Sequence, residues 1–229
     1  MKLTALQATR NYIRKREGSN LFCAVEETSV TLEPGTLTVL SGPSGSGKST
    51  LLNMFAGLLP PSSGQILLDD TDLYHLEDRE LSRLRNLHIG IIPQGQTALA
   101  AFNVQDNILM PWLLYGSRKN EAFSEKRKRA EELMEAAGIL ELRREMPSGL
   151  SGGEIRRMAV CRAMLQKPEI ILADEPTGDL DEENTAVVMD LLKEHAASGG
   201  TVFVVTHDIQ VRTYADRMLS MRKGVVTEE

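Results

Sequence analysis

The chain has 229 residues, 41% hydrophobic and 25% charged, which allows a sizeable core and is ordinary for a globular chain. A net charge of −6 provides no overall basic footprint; it leaves room for a local basic patch, and no nucleic-acid partner is expected. No apolar run approaches the roughly 18 residues that cross a bilayer, and the first ten residues lack the apolar core of a signal peptide.

The expectation is a soluble, intracellular chain that works at a membrane only through a partner. Cys23 and Cys161 fit neither a disulfide framework nor a zinc spacing and read as small reduced core residues.

Residues 1–40 alternate polar and apolar positions, with turn signals at 16–20 and 33–35, and predict short antiparallel strands. Residues 36–40 read as a buried strand and 49–56 as a helix ending at Gly57. A short strand is expected at 65–68, a polar helix capped by Asp78 at 78–86, and another strand at 88–92. His75 and His88 show no acidic or cysteine partner nearby in sequence and read as surface residues.

From about 95 to 150 the strand signal disappears, and 104–115 and 124–137 read as helices, the second packing through Leu133, Met134 and Ala137. Its basic run at 125–129 is followed by Glu131 and Glu132, as on a solvated helix face. Trp112 reads either as core or as a contact for a partner helix. An α/β pattern then returns: helix 151–166, strand 169–173, helix 182–197 with Val187, Val188, Leu191 and Leu192 on one face, strand 201–206, a short helix from Ile209, and a hairpin turning at Lys223 and Gly224. Strands alternating with helices imply a mostly parallel sheet covered on both faces.

Three stretches carry chemistry. Residues 42–50, Gly-Pro-Ser-Gly-Ser-Gly-Lys-Ser-Thr, fit Gly-x4-Gly-Lys-Ser/Thr between a strand and a helix. Such a turn aims backbone N–H groups and a helix dipole into one concavity, which suits phosphate. Gly42, Gly45 and Gly47 are expected to let phosphate approach without a Cβ in the way, and Ser44, Gly45, Ser46, Gly47, Lys48, Ser49 and Thr50 are the phosphate-binding candidates. Lys48 is read as reaching the β- and γ-phosphates and the Ser49 hydroxyl as ligating Mg²⁺. Residues 170–175, Ile-Ile-Leu-Ala-Asp-Glu, form an apolar strand ending in two acids. Asp174 is placed to hold Mg²⁺ and Glu175 to orient or deprotonate an attacking water. Residues 150–154, Leu-Ser-Gly-Gly-Glu, pair a capping box (Ser151 and Glu154) with two glycines that bare the first amides of a helix, a second anion-seeking helix end.

These motifs together resemble the nucleotide-binding subunit of an ABC transporter, with Glu154 where the family's signature usually has Gln. The resemblance covers the whole chain. It implies an α/β P-loop ATPase fold: a RecA-like core of 1–94 and 162–229, mostly parallel with an N-terminal antiparallel β-subdomain, and an inserted α-helical subdomain at 95–161. It implies ATP and Mg²⁺ as ligands and hydrolysis of ATP. Ser151, Gly152 and Gly153 match the signature that binds the γ-phosphate of ATP held by a second copy, and Gln94 matches a Mg²⁺ and water ligand that also senses the membrane partner. His207 matches a switch that contacts the γ-phosphate, and Asp181 the acid that communicates across the dimer. Tyr12 resembles the aromatic that stacks on adenine, with Phe22 as the alternative. The implied partners are a second copy, head to tail, and a separate integral membrane permease at the cytoplasmic face of the membrane. Residues 42–50, 171–178 and 204–208 look most like the branch that handles lipoprotein release, macrolide or peptide export, haem efflux and a cell-division pair. The short stretch between Gln94 and Leu150 leaves no room for the coiled coil or zinc module of a DNA-acting relative, and there is no guanine motif of a GTP switch.

Overall fold

The structure, a computed structural model, describes residues 1–13, 21–95, 97–115, 122–178 and 180–229; the turn expected at 16–20 lies outside them. The chain opens with two long strands, β1 (Leu3–Ile13) and β2 (Leu21–Leu32), paired antiparallel rather than as several short strands. Bulges in β1 absorb the pattern that suggested interruptions, and Gln7 takes a positive φ of 47° there. Next come β3 (Thr36–Ser41), α1 (Lys48–Phe55), β4 (Ser63–Leu68), β5 (Thr71–Asp72), α2 (Asp78–His88) and β6 (Ile89–Ile92). Three helices come after β6: α3 (Val104–Tyr115), α4 (Phe123–Ala136) and α5 (Gly152–Met164). The chain ends with β7 (Ile170–Asp174), α6 (Glu182–Ala197), β8 (Thr201–Thr206), β9 (Arg217–Arg222) and β10 (Val225–Glu228).

Two sheets result. A four-stranded antiparallel sheet has the order β2-β1-β4-β5, and a six-stranded sheet the order β10-β9-β3-β8-β7-β6. In the larger sheet β9, β3, β8, β7 and β6 are parallel, and only β10 runs back. Every residue of β7 and β8 is buried, as a sheet covered on both faces demands. Their side chains alternate between two cores. Ile171, Ala173, Val202 and Val204 face α3, α4, α5 and α6, whereas Ile170, Leu172, Phe203 and Val205 face α1 and the smaller sheet. Phe55 and Phe203 meet edge to face at 5.5 Å across the second interface. The helical layer shares its core with the sheet, since Ile108, Met134 and Met158 join the same apolar cluster as Val204. Trp112 belongs to that cluster at 9% exposure, against Phe123.

Some local expectations change. Asp78 is the first residue of α2 rather than its cap; Glu77 holds that position, with no side-chain capping bond. The histidines do have acidic partners, His75 with Asp72 at 2.7 Å and His88 with Glu169 at 2.9 Å. The second of these joins residues far apart in sequence. Val187 is only half-buried on α6, and Thr185 and Met189 complete its packed face. The basic run of α4 is paired along its helix, Arg127 with Glu131 and Lys128 with Glu132.

Candidate active site

β3, β8 and β7 lie side by side and end at one edge of the larger sheet, so the segments leaving these strands converge there. β3 leads through the loop 42–47 into α1, β7 ends at Asp174 and Glu175, and β8 is followed by His207. Ligands of open α/β sheets bind at this carboxyl edge.

The loop needs its glycines for a reason the sequence does not display. A Cβ on Gly42 would lie 2.3 Å from the Met221 carbonyl oxygen, and one on Gly47 would lie 2.1 Å from that of Ala24. Packing of the loop on β9 and β2 therefore excludes side chains at both positions before any phosphate is considered. At Gly45 a Cβ would meet nothing within 4 Å, so this is the glycine that faces open space. The ammonium of Lys48 donates to the carbonyls of Gly42 (2.7 Å) and Pro43 (3.1 Å), bracing the loop. Two of its three donors are used in this way.

A cavity of about 710 Å³ opens over the loop. It is lined by Pro43, Ser44, Gly45, Gly47, Lys48, Ser49 and Thr50, by Tyr12, Phe22 and Ala24, and by Gln94, Glu175 and His207. Tyr12 and Phe22 are cross-strand partners on β1 and β2, so both aromatic candidates stand at the rim. The Arg10 guanidinium lies 4.8 Å from the Tyr12 ring centroid and donates to the Pro60 carbonyl at 2.8 Å. Ser46 is not part of the lining. It is buried, and its Oγ has no partner.

The acidic corner is tightly held. Glu175 has a positive φ of 49°, uncommon for a side chain of this kind. Its Oε2 accepts from the Thr206 hydroxyl at 2.9 Å, and its Oε1 lies 2.8 Å from His207 Nδ1. Thr206 in turn accepts from the Asp208 amide at 3.0 Å. Asp174 is 6% exposed, and its Oδ1 is buried without a hydrogen-bond partner. Burial pushes its carboxyl above the usual range, partly offset by the Ser49 side chain and the Lys48 charge. An orphaned buried carboxylate oxygen beside a serine hydroxyl fits a hard cation. Among the described residues no three His, Cys, Asp or Glu side chains cluster as a metal cage.

Gln94 is exposed at the cavity edge, and the segment carrying it is clamped to α5. Arg156 donates to the Pro93 carbonyl at 2.9 Å, and Arg162 donates to the Thr97 carbonyl at 2.8 Å and its hydroxyl at 2.7 Å. The remaining candidates lie outside this cavity. Ser151 caps α5 in a complete capping box, with its amide on the Glu154 carboxylate at 2.7 Å and its Oγ accepting from the Glu154 amide at 3.3 Å. The Ser151 amide holds the Glu154 carboxyl below the usual range. Ser151 and Gly152 are exposed, and Gly153 sits close to Leu180. Asp181 caps α6, accepting from the Asn184 amide at 2.8 Å.

Sequence reasoning misses Ala24, Thr206, Arg156 and Arg162. A threonine ending a buried strand just before the histidine is the only one of these with a local signal.

A phosphate loop and an acid pair on strands one apart, with a histidine on the strand between them, define a P-loop nucleotide hydrolase. Residues 25–178 match the family model described as ABC transporter. The lipoprotein-releasing system ATP-binding protein LolD of Shewanella denitrificans is 37% identical over 205 residues, covering 89% of this chain and 86% of that protein. The macrolide export ATP-binding/permease protein MacB 2 of Aeromonas hydrophila is 37% identical over 216 residues, covering 94% of this chain but 33% of that longer protein. A dimeric ATP-binding cassette solved in a post-hydrolysis state with ADP and Pi superposes with a TM-score of 0.89 at 32% identity, covering 99% of this chain and 98% of that one. The chain belongs to the ABC transporter family, as an ATP-binding subunit that hydrolyses ATP.

Proposed function

We propose that two copies of this chain pair head to tail around two ATP molecules and drive a separate membrane permease in export or extraction of a lipoprotein, peptide, macrolide or haem type of cargo. The observation that carries the reading is the Glu175, His207 and Thr206 cluster at the rim of the phosphate-loop cavity. Glu175 is the general base: Thr206 and His207 hold both of its oxygens, leaving it oriented to take a proton from water attacking the γ-phosphate. Lys48 and the loop amides of Gly45 and Gly47 bind the β- and γ-phosphates, and Tyr12 or Phe22 takes the adenine. Ser49 and Asp174 would hold a magnesium ion, with Gln94 as a further ligand, and an ion bound there would supply neutralisation of phosphate charge.

The helix start formed by Ser151, Gly152 and Gly153 binds the γ-phosphate held by the other copy, and Asp181 lies at the contact between copies. Phosphate bound by both copies closes the pair, and hydrolysis removes that bond between them.

In this reading 1–94 and 162–229 act as the catalytic core and 95–161 as the arm that meets the permease. Exposed Leu99, Phe102, Leu113, Leu114 and Phe123 offer the arm an apolar surface. No described helix is long and apolar enough to cross a membrane. In this reading contact with the bilayer runs through the permease at its cytoplasmic face.

The test is Glu175→Gln protein with ATP, purified from solubilised membranes. The expected result is a trapped dimer, hydrolysis lowered by about 10²-fold or more, and a co-purifying polytopic membrane protein with a large extracytoplasmic domain. Wild-type turnover would remove Glu175 from its role. Recovery of ribosomes or DNA in place of a membrane protein would overturn the transport reading.

A further inference from the structure

The turn between β9 and β10 places Lys223 and Gly224 at positive φ, 50° and 85°. The Gly224 amide donates to the Ser46 carbonyl inside the phosphate loop at 2.9 Å. The Gly224 carbonyl accepts from the Glu26 amide on β2, also at 2.9 Å. One residue thus joins the phosphate loop to the strand that carries Phe22. The junction is close-packed. A Cβ on Gly224 would lie 3.1 Å from the Glu26 amide nitrogen and 3.3 Å from the Ala24 carbonyl oxygen, the same oxygen that excludes a side chain at Gly47.

This joint matters because the two halves of the cavity stand on different sheets. Tyr12 and Phe22 belong to the four-stranded sheet, whereas the phosphate loop follows β3 of the six-stranded sheet. Among the described residues no strand ladder joins the two, so their separation is not set by sheet register. A ligand that engages both halves gains the linked benefit only when that separation matches its own length.

We propose that Gly224 is a positioning residue that sets the distance between the aromatic platform and the phosphate loop. The proposal rests on the reading above, in which adenine occupies one half and phosphates the other. Gly224 touches no part of the nucleotide; it acts through Ser46 on one side and Glu26 on the other.

The experiment compares magnesium–ATP with magnesium–tripolyphosphate, which lacks the base, on wild-type and Gly224→Ala protein. The new methyl must displace Glu26 or Ala24, and alanine resists the positive φ. ATP affinity is expected to fall about tenfold, tripolyphosphate affinity to stay within about twofold, and kcat at saturating ATP to stay within about twofold. Equal losses for both ligands would show a loop merely deformed, and no loss for either a turn without influence; each outcome overturns the proposal. A wild-type protein that prefers ATP no more than tripolyphosphate would strike the nucleotide reading itself, and the wild-type titration alone decides that. Should Gly224→Ala not fold, amide hydrogen exchange on the unaltered protein gives the answer. ATP is expected to slow exchange at Gly224 and Glu26 more than tripolyphosphate does, and equal slowing would overturn the assignment.

Discussion

The chain presents two helix N-termini suited to phosphate, and they are finished differently. The start of α1 lies at the wall of an open cavity of about 710 Å³ lined by several strands and loops, beside an orphaned Asp174 oxygen and a strained Glu175. The start of α5 lies exposed outside that cavity, and Ser151 and Glu154 satisfy each other. One end keeps unmet polar groups at a concave site, while the other is locally content and offers its free amides to whatever docks on it. In the proposed reading the first is a site within one chain, and the second becomes one only when another copy covers it.

Mixing variants is the sharpest way to break this comparison. Lys48→Ala and Gly152→Asp should each lower ATP hydrolysis by about 10²-fold or more, the second by setting a carboxylate against phosphate at an exposed helix start that tolerates acids. If the two ends serve each other across a head-to-tail pair, an equal mixture should regain about a quarter of wild-type activity, because each mixed pair keeps one intact site. An unrestored mixture would mean that the α5 end does not act across copies.

A smaller effect separates Glu175 from the threonine that holds it. Thr206→Val keeps shape in a fully buried position but removes the donor to Glu175 Oε2. Steady-state kinetics should show kcat down about tenfold with KM little changed.

Asp174 links the unmet oxygen to stability. Burial raises its pKa, so the folded chain holds that proton more tightly than the unfolded chain. The contribution is therefore most favourable at low pH, declines as pH rises from the ordinary carboxylate range through the raised folded value, and stays unfavourable at neutral pH. Asp174→Asn should raise Tm at neutral pH by about 2–4 °C without magnesium, and flatten that part of the stability profile. An unchanged Tm would mean that the buried carboxylate carries no penalty.

The smallest effect belongs to the satisfied end. Glu154→Ala should cost about 0.5–1 kcal/mol in a urea melt, through loss of half the capping box. The Glu154 pKa is depressed, so its contribution is present above the ordinary carboxylate range and lost as pH falls through the lower folded value.

Legibility in the sequence tracks locality. The alternation in β7 and β8, the phosphate loop and the capping box each lie within a few consecutive residues, and their apolar period or residue order carries the signal. The clamp of Arg156 on Pro93, the pairing of His88 with Glu169 and the approach of Ala24 to Gly47 join positions far apart in sequence, where no local pattern marks them. The glycines show the limit most clearly. Their identity is legible, but the cause at Gly42 and Gly47 is a neighbouring carbonyl from β9 or β2, which only the fold brings there. Tyr12 and Phe22 cannot be ranked from sequence, and the fold sets them opposite one another.

The left-handed backbone at Glu175 has an evolutionary consequence. Glycine or asparagine would sit more easily at a φ of 49°, so a screen rewarding heat resistance alone should drift toward those residues and discard the proposed base. If Glu175 is the base proposed above, glutamate should persist at this position only where turnover is also selected, and its survival in a thermostabilised library would report retained catalysis.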